Sequence, residues 1–350
     1  MTAKITLTTD AMGRVAGIWR YPVKSMLGEA LEATDVTPNG LLGDRAFALI
    51  DVETGKVVSA KNPRRWPNVF EFRSEFDTAS PSMKPVAAAR IRLPGGEWLS
   101  TADADAEPRL SAALGRPVRL GRAAAAAETA EGYWPDHEWL AHRDEVFDFR
   151  LPPGTYFDGA SIHLITTATL AALSAAAPTS RFAPARFRPN FVIELDEPRA
   201  GASSGGPGGA SEREPAEAPR EALGEAFGGA VGGALGGAVG GALGGAFGGA
   251  PGGAPDAARN AASPRPRAAA SDPFVENGWI GRTLALGDVR LRIDGPCPRC
   301  VMTTLAQGSL PKDPTVLRTI VGANKGHVGV YATVVRGGRV RRGDLVRAER

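Results

Sequence analysis

Alternating apolar and polar positions dominate both ends of the chain and predict strands far more often than helices. "RVAGIWRYPVKS" reads as a short strand running into a loop. "GDRAFALIDVETGKVVSAK" has the form of a hairpin, with two alternating runs around Glu53-Thr54-Gly55. "ARIRLPGGEWLS" repeats the form around Pro94-Gly95-Gly96. Further on, "SIHLITTATLAALSAA" predicts a strand followed by a short helix, and "ARFRPNFVIEL" a basic loop entering a strand. "WIGRTLALGDVRLRID" predicts two strands around Leu286-Gly287-Asp288, and "HVGVYATVVRGGRVRRGDLVRAE" predicts closing strands. Short strands with turn residues between them indicate a mainly β protein of barrel type with a few short helices. The expected organisation is two β-rich lobes, residues 13–122 and 123–350.

The second lobe is interrupted. From about residue 200 to 271 the alternation is lost, and tandem Gly-Gly-Ala-x units run from Gly228 to Pro255. This uncharged stretch raises the question of a membrane span. Half of each unit is glycine, so helix propensity and transfer energy are both poor, and a flexible surface insertion is expected instead. The formal net charge of +3, from 41 basic and 38 acidic residues, is too balanced for a nucleic-acid groove. The start, "MTAKITLTTDAMGR", lacks the pattern of a secretory signal, which makes the cytoplasm the expected location.

Both cysteines of the chain lie in "GPCPRCVMTT", as Cys297 and Cys300. Two thiols build neither a disulfide framework nor an iron–sulfur site. Their spacing matches a dithiol redox motif, but such a motif opens a helix within a βαβ unit, and here it follows a strand. A structural zinc site would need two ligands from His137, His142, His163 and His327, whose spacing does not suit one. A single thiolate to a soft metal is the more economical reading, because Arg299 beside Cys300 favours the charged form. The bland reading is a pair of small apolar residues in a core loop, an awkward core given the flanking prolines and arginine. Two polar clusters accompany the cysteines. Lys24, Ser25, Asp44 and Arg45 form one, and Arg186, Arg188 and Asn190 the other. Ammonium, hydroxyl and guanidinium donors suit a phosphate-bearing cofactor.

In combination these motifs carry a resemblance. "GIWRYPVKSM…GLLGDRAFALID" resembles the N-terminal β-barrel domain of MOSC proteins, and "RFRPNFVIE…WIGRTLALGDVRLRIDGPCPRCVMTT" is similar to the MOSC domain itself, with the mitochondrial amidoxime-reducing component and its bacterial counterparts as expected relatives. The resemblance implies a molybdenum cofactor of molybdopterin type between the lobes, with Cys300 as metal ligand and catalytic residue. Lys24, Ser25, Arg45, Arg188, Asn190 and Arg299 fall where the family holds the pterin or its phosphate; Arg186 is included by proximity. At superfamily level the resemblance extends to pyridoxal phosphate binding. Cys297 remains either a thiol behind the ligand or a small supporting residue. Pro298 departs from the Ser or Thr expected there and removes a backbone donor. Ser59-Ala60-Lys61 departs from a more arginine-like pattern, so no binding role is carried to it. Asp158 and His163, in a segment that approaches the site in relatives, read as structural.

The resemblance further implies reduction of small N-hydroxylated compounds. With no thiolates for an iron–sulfur domain in this sequence, electrons are expected from a separate flavin or iron–sulfur protein. The alternative is a cofactor or sulfur carrier with a persulfide on Cys300. A third reading, the Gly-Gly-Ala tract as a self-association module, predicts that deleting residues 200–271 abolishes function; the reductase reading predicts little loss.

Overall fold

In the computed structural model, residues 11–77, 87–123, 127–136, 142–196 and 272–349 are described. The insertion expected at 200–271 lies outside them, as does the uncharged stretch within it. Seven strands close into a ring: β1 (Ala11–Arg20), β2 (Ile162–Thr166), β3 (Phe191–Leu195), β4 (Thr283–Leu286), β5 (Val289–Pro298), β6 (His327–Arg336) and β7 (Leu345–Glu349). The order around it is β3-β2-β6-β5-β4-β7-β1, closed by antiparallel pairing of β1 with β3. All neighbours are antiparallel except β2 and β3. A route back to a parallel neighbour needs a crossover. Residues between β2 and β3 supply it as α2 (Thr167–Ala176) and a one-turn α3 (Pro184–Phe187); an earlier helix, α1 (Ala106–Leu114), belongs to the N-terminal half. Closure removes the exposed edges that an open sheet would present.

Alternation along the staves sends Val15, Ile18, Leu164, Ile193, Leu291, Ile293, Val330 and Val346 inward to fill the barrel. The Leu286-Gly287-Asp288 turn forms as expected, with Gly287 in left-handed backbone. Thr166 ends β2 and accepts Thr169 N–H through its hydroxyl, capping α2. That helix and α4 (Thr315–Asn324) pack their apolar sides on the outside of β2 and β3 around Ile165, Leu173, Val192, Val316 and Ile320.

The N-terminal half has its own core of Phe47, Leu49, Trp66, Phe72, Ile91, Leu99 and Leu110. The hairpin expected around Pro94-Gly95-Gly96 is present, pairing Arg90–Arg92 with Trp98–Ser100. Around Glu53-Thr54-Gly55 the turn forms, but Phe47–Asp51 pairs with Val118–Arg122 instead of the run that follows the turn. The Asp51 carboxylate takes Glu53 N–H and the Thr54 hydroxyl, and Val57 leaves after a single bridge to Ile50 to meet Ala130. A further hairpin, Thr129–Trp134 with Glu145–Arg150, stands beside the mouth of the barrel.

Candidate functional site

A cavity of about 970 Å³ lies between the barrel mouth and the N-terminal half, and Lys24, Ser25, Arg45, Arg186, Arg188, Asn190, Arg299 and Cys300 all line it. The cysteine loop forms its floor. Strand β5 delivers Cys297 to a buried position, and the chain then turns so that Cys300 is half-exposed. Thr303 and Thr304 donate their hydroxyls to the carbonyls of Cys300 and Val301, fixing the turn just beyond the thiol. Between the two sulfurs Arg299 folds back. Its Nη1 donates to Cys297 Sγ at 2.7 Å and its Nη2 to the Phe187 carbonyl at 2.8 Å. Its Nε is buried with no hydrogen-bond partner among the described residues. Burial opposes the Arg299 charge, but Cys297, Tyr331 and Cys300 outweigh it and raise its pKa.

Cations surround this floor. Lys24 Nζ donates to the Tyr156 carbonyl at 2.8 Å and to Asp158 Oδ1 at 2.6 Å. Burial, aided by Lys61 and Arg45, outweighs Asp158 and lowers Lys24 to about 8. Asp158 also meets Lys61 Nζ at 3.3 Å. Burial pushes its carboxyl upward, yet the two lysines prevail and hold it below the usual carboxylate range. Arg45 is paired with Asp44 and lies 4.5 Å from the Tyr21 ring centre, while Arg188 lies 4.2 Å from the same ring and donates to the Met26 carbonyl. Burial lowers Arg188 to about 10. Five non-glycine residues among those described have left-handed backbone, and three are Ser25, Arg45 and Arg188. That conformation costs about 1 kcal/mol or more per residue, and it gathers here on the wall of one cavity.

Two predicted residues are tied mainly to the scaffold. Arg186 is fully buried, and its guanidinium donates to the carbonyls of Arg181, Thr303, Leu305 and Pro311, clamping the segment after Cys300. Asn190 accepts His163 N–H and donates to Asp44, joining β2 to the loop that carries Arg45. His163 donates Nε2–H to the Val328 carbonyl, and burial, then Arg299, lowers its pKa to about 3, so the ring is neutral. Its edge meets Tyr331, whose hydroxyl is pushed well above its ordinary pKa by burial and by Cys297.

The sequence reading carries no role to Lys61, yet Lys61 faces the cavity with its charge near Asp158 and Cys300. The signal is tertiary: Ala60 N–H donates to Ser25 Oγ and pins the end of that segment beside Lys24. An aromatic wall is the second feature missed. Trp134, Phe147 and Phe149 come from the hairpin at the barrel mouth and line the same cavity, with Lys61 Nζ 4.4 Å from the Phe149 ring centre.

The donor set has a definite character. Among the described residues no three His, Cys, Asp or Glu side chains gather to hold a metal. One half-exposed thiol under a ring of cations suits a metal that brings most of its ligands on an anionic carrier, and the unpartnered Arg299 Nε–H offers that carrier a donor.

Comparison with known proteins agrees with this character. Residues 12–108 match the MOSC N-terminal beta barrel domain and residues 268–347 the MOSC domain, together just over half of the chain. No curated protein matches. Among solved structures, the chain is similar to the YUAD protein from Bacillus subtilis at 9% identity and a TM-score of 0.38, over 97% of this chain and 98% of that one. MOSC domains are associated with molybdenum-cofactor sulfurases and oxidoreductases. With both family domains matched in order and Cys300 inside the second, this chain belongs to the MOSC-domain proteins.

Proposed function

We propose that this protein is a molybdenum-cofactor-dependent oxidoreductase that reduces N-hydroxylated compounds with electrons from a separate flavin or iron–sulfur protein. The observation that carries the reading is Cys300, a partly exposed thiol lining a large cavity that Lys24, Lys61, Arg45, Arg188 and Arg299 also line. In this role Cys300 is the protein's one ligand to the metal, and Lys24, Ser25, Arg45, Arg188 and Arg299 hold the anionic part of the cofactor. When bound, the cofactor supplies two-electron oxygen-atom-transfer chemistry. The net change converts N–OH to N–H and water and consumes two electrons and two protons. Lys24 Nζ, lowered to about 8 and in contact with Asp158, lines the same cavity and carries a proton near neutral pH. Neutral His163 and buried Tyr331 keep further charge away from the sulfurs.

The test is molybdenum per chain, by elemental analysis, in wild type and Cys300→Ser from a cofactor-producing host. Both are also assayed for amidoxime reduction with an artificial donor. Near-stoichiometric metal in wild type, with lost reduction in the variant, supports the reading. A persulfide on Cys300 without molybdenum moves the assignment to sulfur transfer. Turnover with pyridine nucleotide alone contradicts the separate donor.

A further inference from the structure

Strand register sets a row of arginines on the outside of the barrel. Val289, Leu291 and Ile293 of β5 turn inward to the core, which leaves Arg290 and Arg292 outward. Arg290 lies opposite Arg336 of β6 on one side and Ala285 of β4 on the other, and Ala285 lies opposite Arg347 of β7. Directly opposite residues share a face, so Arg336, Arg290 and Arg347 stand in one row with a single alanine among them. The register slips between Arg290 and Leu291, and Val335, the extra residue of β6, is left 62% exposed beside Arg336. Just before β4, Gly281 N–H donates to the Ile293 carbonyl, which brings the exposed Ile280 and Arg282 alongside. Like charges directly opposite across a strand pair disfavour the pairing. Glu349 takes Arg290 and Asp294 takes Arg292, but Arg282, Arg336 and Arg347 have no ion-pair partner among the described residues. The face runs up to the cavity. Thr333, opposite Arg292, donates its hydroxyl to Asp294 at 2.6 Å, and both Thr333 and Asp294 line the cavity.

We infer that this arginine face is the docking surface for an acidic redox protein that delivers electrons to the cavity. Guanidinium groups meet carboxylates in bidentate pairs, and arginine is enriched where proteins meet. Val335 and Ile280 add an apolar component; they are two of the four large apolar side chains exposed among the described residues. One turnover of the proposed reaction consumes two electrons, so a one-electron donor must dock, leave and be replaced. A small contact steered by exposed charges suits that exchange, because it forms fast and separates readily. The electron-donor role of the partner rests on the reductase reading, whereas its acidic character rests on the face alone.

The test measures binding of two acidic probes, a plant-type two-iron ferredoxin and a flavodoxin, to the full chain by surface plasmon resonance. Basic cytochrome c is the control probe. At about 25 mM salt at least one acidic probe should bind and cytochrome c should not; about 300 mM salt should weaken that binding roughly tenfold or more. Arg336→Glu and Arg347→Gln should each weaken it several-fold at low salt, mainly through slower association, and the difference should fade at high salt. Arg318→Glu, at an exposed position of α4 over β2 and β3, should bind as wild type does. Near-UV circular dichroism establishes that each variant is folded. No binding of either acidic probe, equal binding of cytochrome c, or undiminished binding by both folded variants overturns the docking face. Capture by phosphatidylserine vesicles or duplex DNA while both acidic proteins fail also overturns it, and makes the face a lipid or nucleic-acid surface. Charge-dependent binding of an acidic probe, with no amidoxime reduction by the loaded protein from either the reduced probe or dithionite, leaves the docking face standing and removes the reductase reading.

Discussion

Replacing Lys24 with methionine should make the cofactor-free protein more stable at neutral pH while weakening its hold on an anion. The ammonium is only 5% exposed, and its partners Asp158 and the Tyr156 carbonyl do not compensate for burial, so it falls from an ordinary 10.5 to about 8. That difference corresponds to roughly 3 kcal/mol against folding with the lysine charged. Methionine fills similar space and removes this cost, but it leaves the Tyr156 carbonyl without its donor, a loss of about 1–2 kcal/mol. The relief exceeds the loss, for a net gain of about 1–2 kcal/mol at pH 7. Asp158 keeps Lys61 as a partner in the variant.

The pH dependence separates this mechanism from general repacking. Below about pH 8 Lys24 is protonated in both folded and unfolded chains, and the full cost is present. Between about 8 and 10.5 the unfolded chain still binds a proton that the folded protein has released, so wild-type stability rises with pH. The variant has no such group. Its advantage should therefore be greatest at pH 7, shrink above pH 8, and turn into a small deficit near pH 10.5. Urea unfolding of both cofactor-free proteins across that range gives the difference directly, because titrations common to the two cancel. A variant less stable than wild type at pH 7, or a gap that does not change with pH, would refute the reasoning.

Two further predictions concern the walls of the same cavity. His163, lowered to about 3 by burial and then Arg299, is neutral when folded, so stability should fall as pH drops from about 6.5 toward 3; His163→Gln should flatten that fall by up to about 1.4 kcal/mol per pH unit, read by acid titration of urea midpoints. Arg186→Met strands four carbonyls around the cysteine loop and should cost about 3–5 kcal/mol in urea unfolding, with Arg186→Lys recovering less than half because a single ammonium cannot span them.

Local signals in the sequence identify most strands and turns but not their partners. The Leu286-Gly287-Asp288 turn and the strand–helix step at Thr166 depend on neighbours in the chain, and both are legible. Strand β1 pairs Gly13 with Leu195 and Arg14 with Leu345, contacts no local pattern encodes. The same limit explains the run after Gly55: its alternation fits a strand, but Val57 is taken up by Ile50 and Ala130 through single bridges. Helix α4 is apolar on one side only through Val316, Leu317 and Ile320, a stripe too short to stand out between two strand-like regions.

The candidate site shows a finer division. Motif reasoning finds segments, and within a segment it does not distinguish the residue that faces a ligand from the one that holds the frame. Within "ARFRPN", Arg188 turns into left-handed backbone against Tyr21, while Arg186 two residues earlier turns the other way to clamp the loop beyond Cys300. The strained residue faces the cavity, and the relaxed one is fully enclosed by carbonyls. Ser25 and Arg45 obey the same rule, both left-handed and both on the cavity wall. Lys61 has neither strain nor motif to announce it, and is brought into place only because Ala60 bonds to Ser25 across the fold. The cost of left-handed backbone and of buried cations runs against folding, and the apolar cores of barrel and N-terminal half must offset it. A protein selected for stability alone would shed that cost with changes such as Lys24→Met; the anionic cofactor proposed above would give the cost a use.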